Sequence, residues 1–426
     1  MHLLKIFKIT EMNRQVSSLT FATVCLLAIS QAKVLHQPRH HSKGHGPSPF
    51  TSVGADVKTI VYDDKRFTSR LTPKEVLREG NPNNMPEIEA LKHIKKTSHN
   101  KGGKLKQAAD STDLVNTSNL RYTGSVYMGN DLIEVDDIVF DTGSSWFVLE
   151  TSDCTDCTET YDYTAQTTYT EVGESIDVAY ADGTTVDGVT ATDDVCLSAD
   201  ATDCVNAYKW MNAQTYGLPV YLNGILGMAA DPEALSWHDP LTAKSWVQEL
   251  YAAGVIDADS FSVAMRDEND SDGSYIDYGT PDSTAMTDSA DLVWIDVYDD
   301  SVYGQFWWQA LLQGIRLRPQ VDSSTDYATS VAAAEGFDTS ADNILGITDT
   351  GSSCLSLPGD LYNFVIRKLV QYLSYTEYDQ YWGYLFYCTD VTSLPSMDIL
   401  FGDYWFEVLV DDYVINFGNN VCGMCI

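Results

Sequence analysis

From about residue 110 onward the chain is built of short apolar runs, each stopped by a turn rich in Gly or Asp. Ile138-Val139-Phe140, two β-branched residues and an aromatic, predict a buried strand that runs straight into the tight turn Asp141-Thr142-Gly143-Ser144-Ser145. The same arrangement recurs where Gly346-Ile347-Thr348 leads into Asp349-Thr350-Gly351-Ser352-Ser353. The two aspartates are 208 residues apart, the length of one large β domain or of half a bilobal protein. Five identical residues behind two apolar lead-ins point to duplication, with folding bringing the two turns together so that their carboxylates share one task.

The surrounding pattern is β. Strands are predicted from Tyr122 through the next glycine-bearing run, over Leu132 to Phe140, and over Ser175 to Tyr180 and Thr184 to Thr190. The last two flank Asp182-Gly183, a strong hairpin signal. Asn223 to Ala229 is an apolar strand held between Gly224 and Gly227, where backbones can approach closely. Further strands are predicted at Phe261 to Arg266, Gly273 to Gly279, Leu292 to Val297, Phe306 to Ile315 and through Leu394 to Ile426. Helical spacing appears over Leu241 to Ala253 and Leu361 to Leu373.

The N-terminal quarter follows another pattern. Leu19 to Ile29 is an apolar run too short to span a bilayer, preceded by Arg14 and followed by Ser30-Gln31-Ala32, so residues 1–32 read as a signal peptide. Residues 33–109 form a basic segment, Pro/His/Gly-rich at first. It then carries two short predicted helices, one opened by Thr72-Pro73-Lys74-Glu75 and ended by Gly80, the other over Met85 to Ile94. The body divides into lobes at 110–290 and 291–426.

Charge sharpens this division. Net charge is −35, yet residues 33–106 hold 15 Lys+Arg against 7 Asp+Glu, while residues 107–426 hold 8 against 53. A body this acidic repels phosphate backbones, which excludes nucleic-acid binding. It is also suited to acid, where protonation lowers its self-repulsion. The basic segment reads either as a plain linker or as a pro-segment lying in an acidic cleft until acidification loosens it. Only His238 of the eight histidines falls after residue 99, so a Ser-His-Asp, Cys-His or histidine-metal centre in the body would depend on one residue. Carboxylate chemistry remains, with no metal and no cofactor expected. Beyond Cys25 in the apolar run, eight cysteines follow a secretory signal and read as disulfides: Cys154, Cys157, Cys196, Cys204, Cys388 and Cys422, with Cys354 and Cys425 of open pairing.

These residues resemble the pepsin-like aspartic proteases over most of 115–426. The match rests on both Asp-Thr-Gly-Ser-Ser turns, on Tyr122-x-Gly124, on Tyr180-Ala-Asp182-Gly183-Thr-Thr-Val-Asp-Gly188 as a flap hairpin, and on Gly224-Ile-Leu-Gly227 behind the first turn. The resemblance implies an all-β, bilobal fold of two β-barrel-like lobes with a central cleft. It implies an aspartic-type endopeptidase acting in acid through a water activated by Asp141 and Asp349. Thr142 and Thr350 would lock the turns together, Ser144 and Ser352 would hydrogen-bond near the aspartates, and Gly143 and Gly351 would expose backbone to substrate. Tyr180, with Asp182 and Gly183 at the hairpin tip, would cover an extended peptide substrate. Cys154 and Cys157 correspond to a small loop disulfide, and Cys388 and Cys422 to a bridge of the C-terminal lobe. A monomeric zymogen is implied, secreted or lysosomal/vacuolar, with its own pro-segment as inhibitor and no membrane span.

Two departures are visible. Val148 stands where the family carries a flap-supporting tryptophan; the nearest is Trp146. The family also continues past the last cysteine into an apolar-apolar-Gly strand behind the second turn, whereas this sequence stops at Ile426. Ile399-Leu400-Phe401-Gly402 comes too soon to serve. The second lobe is therefore expected to be incomplete, and an inactive relative that binds peptides through the cleft is the alternative function.

Overall fold

The computed structural model describes the short strands Lys5–Ile6 and Lys58–Thr59 and most of residues 111–426. Outside the described residues lie 118–120, 156, 158–160, 181–183, 217–221, 233–242, 267–272, 281–294, 300–304, 320–333, 339–343, 380–382 and 402–403. Apart from those two short strands, the signal and pro-segment predictions, with their helices, fall outside as well.

The architecture is all-β and bilobal. In the first lobe, Arg121–Met128, Ile133–Asp141, Gly224–Gly227, Phe147–Thr155, Cys204–Tyr216 and Thr185–Cys196 pair in that order. The last returns to the first through Tyr127 opposite Cys196, closing a barrel and leaving those strands no free edge. Its core is filled by Val126, Met128, Ile138, Phe147, Leu149, Trp210, Leu226 and Trp246, all nearly or wholly buried. These side chains alternate with exposed ones along most strands, as in Ile133–Asp141, because successive residues of a strand face opposite sides.

The second lobe is built on Gln309–Arg318, which pairs with Glu335–Asp338, Ile344–Ile347 and Ser396–Phe401; Tyr404–Val408 extends that sheet. A four-stranded sheet, ordered Glu377–Asp379, Gly383–Tyr387, Val421–Met424 and Val414–Gly418, and the helix Gly359–Leu369 cover its core around Ile315, Leu369, Leu394 and Met397. The segment joining the lobes belongs to both, since Val297 and Trp308 pack on the first core.

Two predicted elements differ. Of the strand predicted over Leu292–Val297, residues 292–294 lie outside the described residues and 295–297 are irregular. Gln305 Nε2 donates to the Val297 carbonyl and Gln309 Nε2 to that of Tyr298. The helix predicted from Leu241 begins at Trp246, where Ser245 caps the Gln248 N–H, and ends at Gly254 in the left-handed region at φ 75°.

Candidate active site

The strand Ile133–Asp141 lies between Arg121–Met128, antiparallel, and Gly224–Gly227, parallel, with Gly227 in register with Asp141. Pairing on both sides carries Asp141 to the end of a fully bonded strand, and there the turn is tied down twice more. Met228 N–H donates to the Asp141 carbonyl at 2.7 Å and Ala229 N–H to that of Ser144 at 2.9 Å. Asp349 is held differently. Its lead-in Ile344–Ile347 pairs, among the described residues, only with Gln309–Arg318, and Thr348 N–H donates to the Trp308 carbonyl at 2.9 Å. Ile399 and Leu400 pair with Gln309–Arg318 and Tyr404–Val408, away from the Asp349 turn.

The two turns meet. Thr142 N–H donates to Thr350 Oγ1 at 3.0 Å and Thr350 N–H to Thr142 Oγ1 at 2.9 Å. Each hydroxyl then donates across the lobe boundary, Thr142 to the Thr348 carbonyl at 2.6 Å and Thr350 to the Phe140 carbonyl at 2.5 Å. Within its own turn, each aspartate accepts a glycine N–H: Gly143 to Asp141 Oδ1 at 3.0 Å and Gly351 to Asp349 Oδ1 at 2.9 Å. Each glycine also abuts the other aspartate. A Cβ on Gly143 would stand 2.6 Å from the Asp349 carboxylate carbon, and one on Gly351 would overlap the Asp141 carboxylate. Asp141 is buried and Asp349 partly exposed, so the pair opens to one side.

The hairpin Thr170–Ala179 and Thr185–Cys196 is closed at its end by Tyr180 N–H to Thr184 O at 2.8 Å; Asp182 and Gly183 lie outside the described residues. Tyr180 is 6% exposed, in a satellite core with Val148, Ile176, Val186, Met211 and Ile225, against which Trp146 packs. Trp146 thus stands beside the cluster that the absent tryptophan at 148 would have served. Lys209 Nζ lies 5.8 Å from the Trp146 ring centre and 3.0 Å from Glu174 Oε2, and that hydrogen bond holds the Glu174 carboxyl below the usual carboxylate range.

Comparison with known families fits this arrangement: the family model described as eukaryotic aspartyl protease matches residues 121–426. The chain belongs to the eukaryotic aspartyl protease family. Relatives include Rhizopuspepsin-1 of Rhizopus niveus, 27% identical over 75% of each chain. Pepsin A of Gallus gallus is 23% identical over 76% of this chain and 80% of its own. Gastricsin of Mus musculus is 26% identical over 65% and 64%.

Within this family member the turn serines are not arranged alike. Ser352 Oγ donates to the Cys354 carbonyl at 3.1 Å, a local bond two residues on. Ser144 Oγ is buried with no hydrogen-bond partner among the described residues. The disulfides join Cys154 to Cys157, Cys196 to Cys204, Cys388 to Cys422 and Cys354 to Cys425. The last sits directly behind the second turn, where Leu355 N–H also donates to the Cys425 carbonyl at 3.0 Å.

Two site residues escaped the sequence reading. Trp307 Nε1 donates to the Gly143 carbonyl at 3.0 Å, and Trp308 Nε1 to the Met228 carbonyl at 2.7 Å. The signal available was a pair of adjacent tryptophans at the start of a strand, where one of two neighbours must face away from the core.

Proposed function

We propose that this family member is an aspartic endopeptidase in which Asp141 and Asp349 act as one acid–base pair. The observation that carries the proposal is the crossed contact of the turns, each glycine seated on the other turn's aspartate. Two carboxylates that close cannot both ionise comfortably, so the pair holds one proton; aspartic proteases are the standard example of this sharing. The charged member takes a proton from water as its oxygen bonds to the peptide carbonyl carbon. The neutral member gives its proton to the carbonyl oxygen. Collapse of the tetrahedral diol breaks the C–N bond, and the neutral member protonates the leaving amine. One diol hydroxyl returns its proton to the charged member as it becomes the carbonyl, and the pair again holds one proton. No covalent enzyme intermediate forms. The proton belongs to the pair and is assigned to neither residue.

The substrate is an extended peptide held beneath the Tyr180 hairpin, largely through main-chain hydrogen bonds. The acidic body and basic segment 33–109 support synthesis as a zymogen released in acid, and residues 1–32 support export to a secreted or lysosomal/vacuolar destination. A second reading, peptide binding without cleavage, is favoured by the single strand partner of Ile344–Ile347 among the described residues.

The deciding experiment acidifies the purified full-length chain and assays peptide cleavage with and without a statine-type transition-state mimic, alongside Asp141→Asn. Mimic-sensitive cleavage that disappears in the variant supports the endopeptidase. Mimic binding without cleavage anywhere in the acid range supports the second reading.

A further inference from the structure

We propose that Trp307 is a positioning residue for the Asp141–Asp349 pair, acting through the carbonyl of Gly143; this rests on the assignment of those aspartates above. Gly143 touches both carboxylates, donating its N–H to Asp141 Oδ1 and setting its Cα against Asp349. Its remaining polar group, the carbonyl, takes the Trp307 indole N–H at 3.0 Å. Glycine is the residue whose backbone the chain itself constrains least, so the orientation of this peptide must be fixed from outside. The indole supplies that constraint from 164 residues away in sequence.

Trp307 is itself held. Phe306 meets it edge-on, with ring centres 4.8 Å apart at 88°, and the Phe306 carbonyl accepts Asp231 N–H at 3.3 Å. Buried Trp308 donates to the Met228 carbonyl, while Met228 N–H donates to that of Asp141. The Trp308 carbonyl takes Thr348 N–H, one residue before Asp349. Residues 306–308 therefore grip the backbone beside both aspartates. This matters most for Asp349, whose lead-in strand has one strand partner among the described residues where that of Asp141 has two. The strand supplying that one partner begins at Gln309, immediately after the two tryptophans.

The test is Trp307→Phe, which keeps an aromatic ring and removes the N–H. Loss of one hydrogen bond that orients the pair predicts a kcat reduced roughly tenfold with KM changed less than about twofold. A looser Gly143 N–H bond to Asp141 stabilises the charged form of the pair less, which predicts that the acid limb of the pH–rate profile moves to higher pH. A 13C-carboxyl NMR titration of Asp141 and Asp349, assigned with the two Asp→Asn variants, reads the same change without turnover. It therefore decides the role of Trp307 even if the chain proves to bind peptides without cutting them. If Trp307→Phe does not fold, benzothienylalanine placed at 307, isosteric but lacking the N–H, takes its place. A displaced titration in either variant supports the proposal. An unchanged titration and pH profile, with only the unfolding midpoint lowered, overturns it.

Discussion

Thr142 and Thr350 satisfy each other: the N–H of each is bonded to the hydroxyl of the other, and each hydroxyl donates to a carbonyl in the segment that leads into its partner's turn, Thr348 and Phe140. Four hydrogen bonds thus cross the lobe boundary within a few residues of both aspartates. Neither lobe places its carboxylate alone, and the geometry of the pair depends on how the lobes are docked.

Thr142→Ala should therefore act on both lobes. Thr142 is 2% exposed, and its loss leaves Thr350 N–H and the Thr348 carbonyl without these partners. Buried groups left unsatisfied cost about 1–3 kcal/mol each. The unfolding free energy from urea denaturation should fall by about 1–3 kcal/mol, and cleavage should fall more than tenfold. Thr142→Ser, which keeps the hydroxyl, should recover most of both. Equal losses in the two variants would show that the methyl packing matters and the crossed bonds do not.

Gly143→Ala tests the crossed contact directly. The new methyl would press on the Asp349 carboxylate, and overpacking of this kind typically costs about 1–3 kcal/mol. Here the strain falls on the pair itself, so binding of a statine-type mimic, followed by calorimetry, should weaken by at least tenfold. Wild-type affinity in this variant would mean that the turns are not in contact in solution.

How far the sequence anticipates this site depends on whether a contact leaves a local trace. The turns at Asp141 and Asp349 were legible because the same five residues follow an apolar strand twice. The partner of Cys354 was not, because Cys425 reaches it only after the strand Val421–Met424 has joined its sheet. Trp307 escaped for a similar reason: an indole N–H bonded 164 residues away imposes no periodicity on its neighbours. Leu292 to Val297 misled in the opposite direction. Its composition suits a strand, but its described residues, 295–297, are irregular, and the Gln305 side chain takes the Val297 carbonyl. Arg316 and Arg318, two residues apart on one strand, are both buried in the second lobe.

Those arginines converge on Asp398. Arg316 Nε lies 2.7 Å from Asp398 Oδ2 and Arg318 Nε 3.0 Å from Oδ1, with Arg318 also bonded to Glu407. The Arg316 guanidinium stacks 4.2 Å from the Trp405 ring centre. Arg318 and Asp398 are each 1% exposed, so Asp398→Asn leaves two buried cations against one carboxylate. Breaking a buried pair from one side costs about 3–5 kcal/mol. Denaturant unfolding should register a loss of that order in the second lobe, with little dependence on salt. The triple change of Asp398, Arg316 and Arg318 to apolar residues should lose less than Asp398→Asn alone; a larger loss would show that the ions specify the packing.

Asp257 and Asp259, two residues apart after the first-lobe helix, should answer pH with opposite signs. Asp257 accepts Thr280 N–H at 2.7 Å, and hydrogen bonds from Thr280 hold its carboxyl below the ordinary aspartate value of 3.8. Its contribution is therefore present above pH 3.8 and disappears as pH falls through the lower folded value. Asp259 is half-buried, its Oδ1 has no hydrogen-bond partner among the described residues, and burial pushes its carboxyl above 3.8. For it, stability is complete below pH 3.8 and declines as pH rises through the raised folded value. Asp259→Asn should thus raise the melting temperature at pH 7 and leave it unchanged at pH 3, whereas Asp257→Ala should lower it at pH 7 and converge on wild type as the pH falls through the lowered folded value. The Asp259 carboxyl thus favours the folded body in acid over neutrality, against the opposite contribution of Asp257. A gain of equal size at both pH values in Asp259→Asn would place the effect in packing and remove the carboxyl's charge from the explanation.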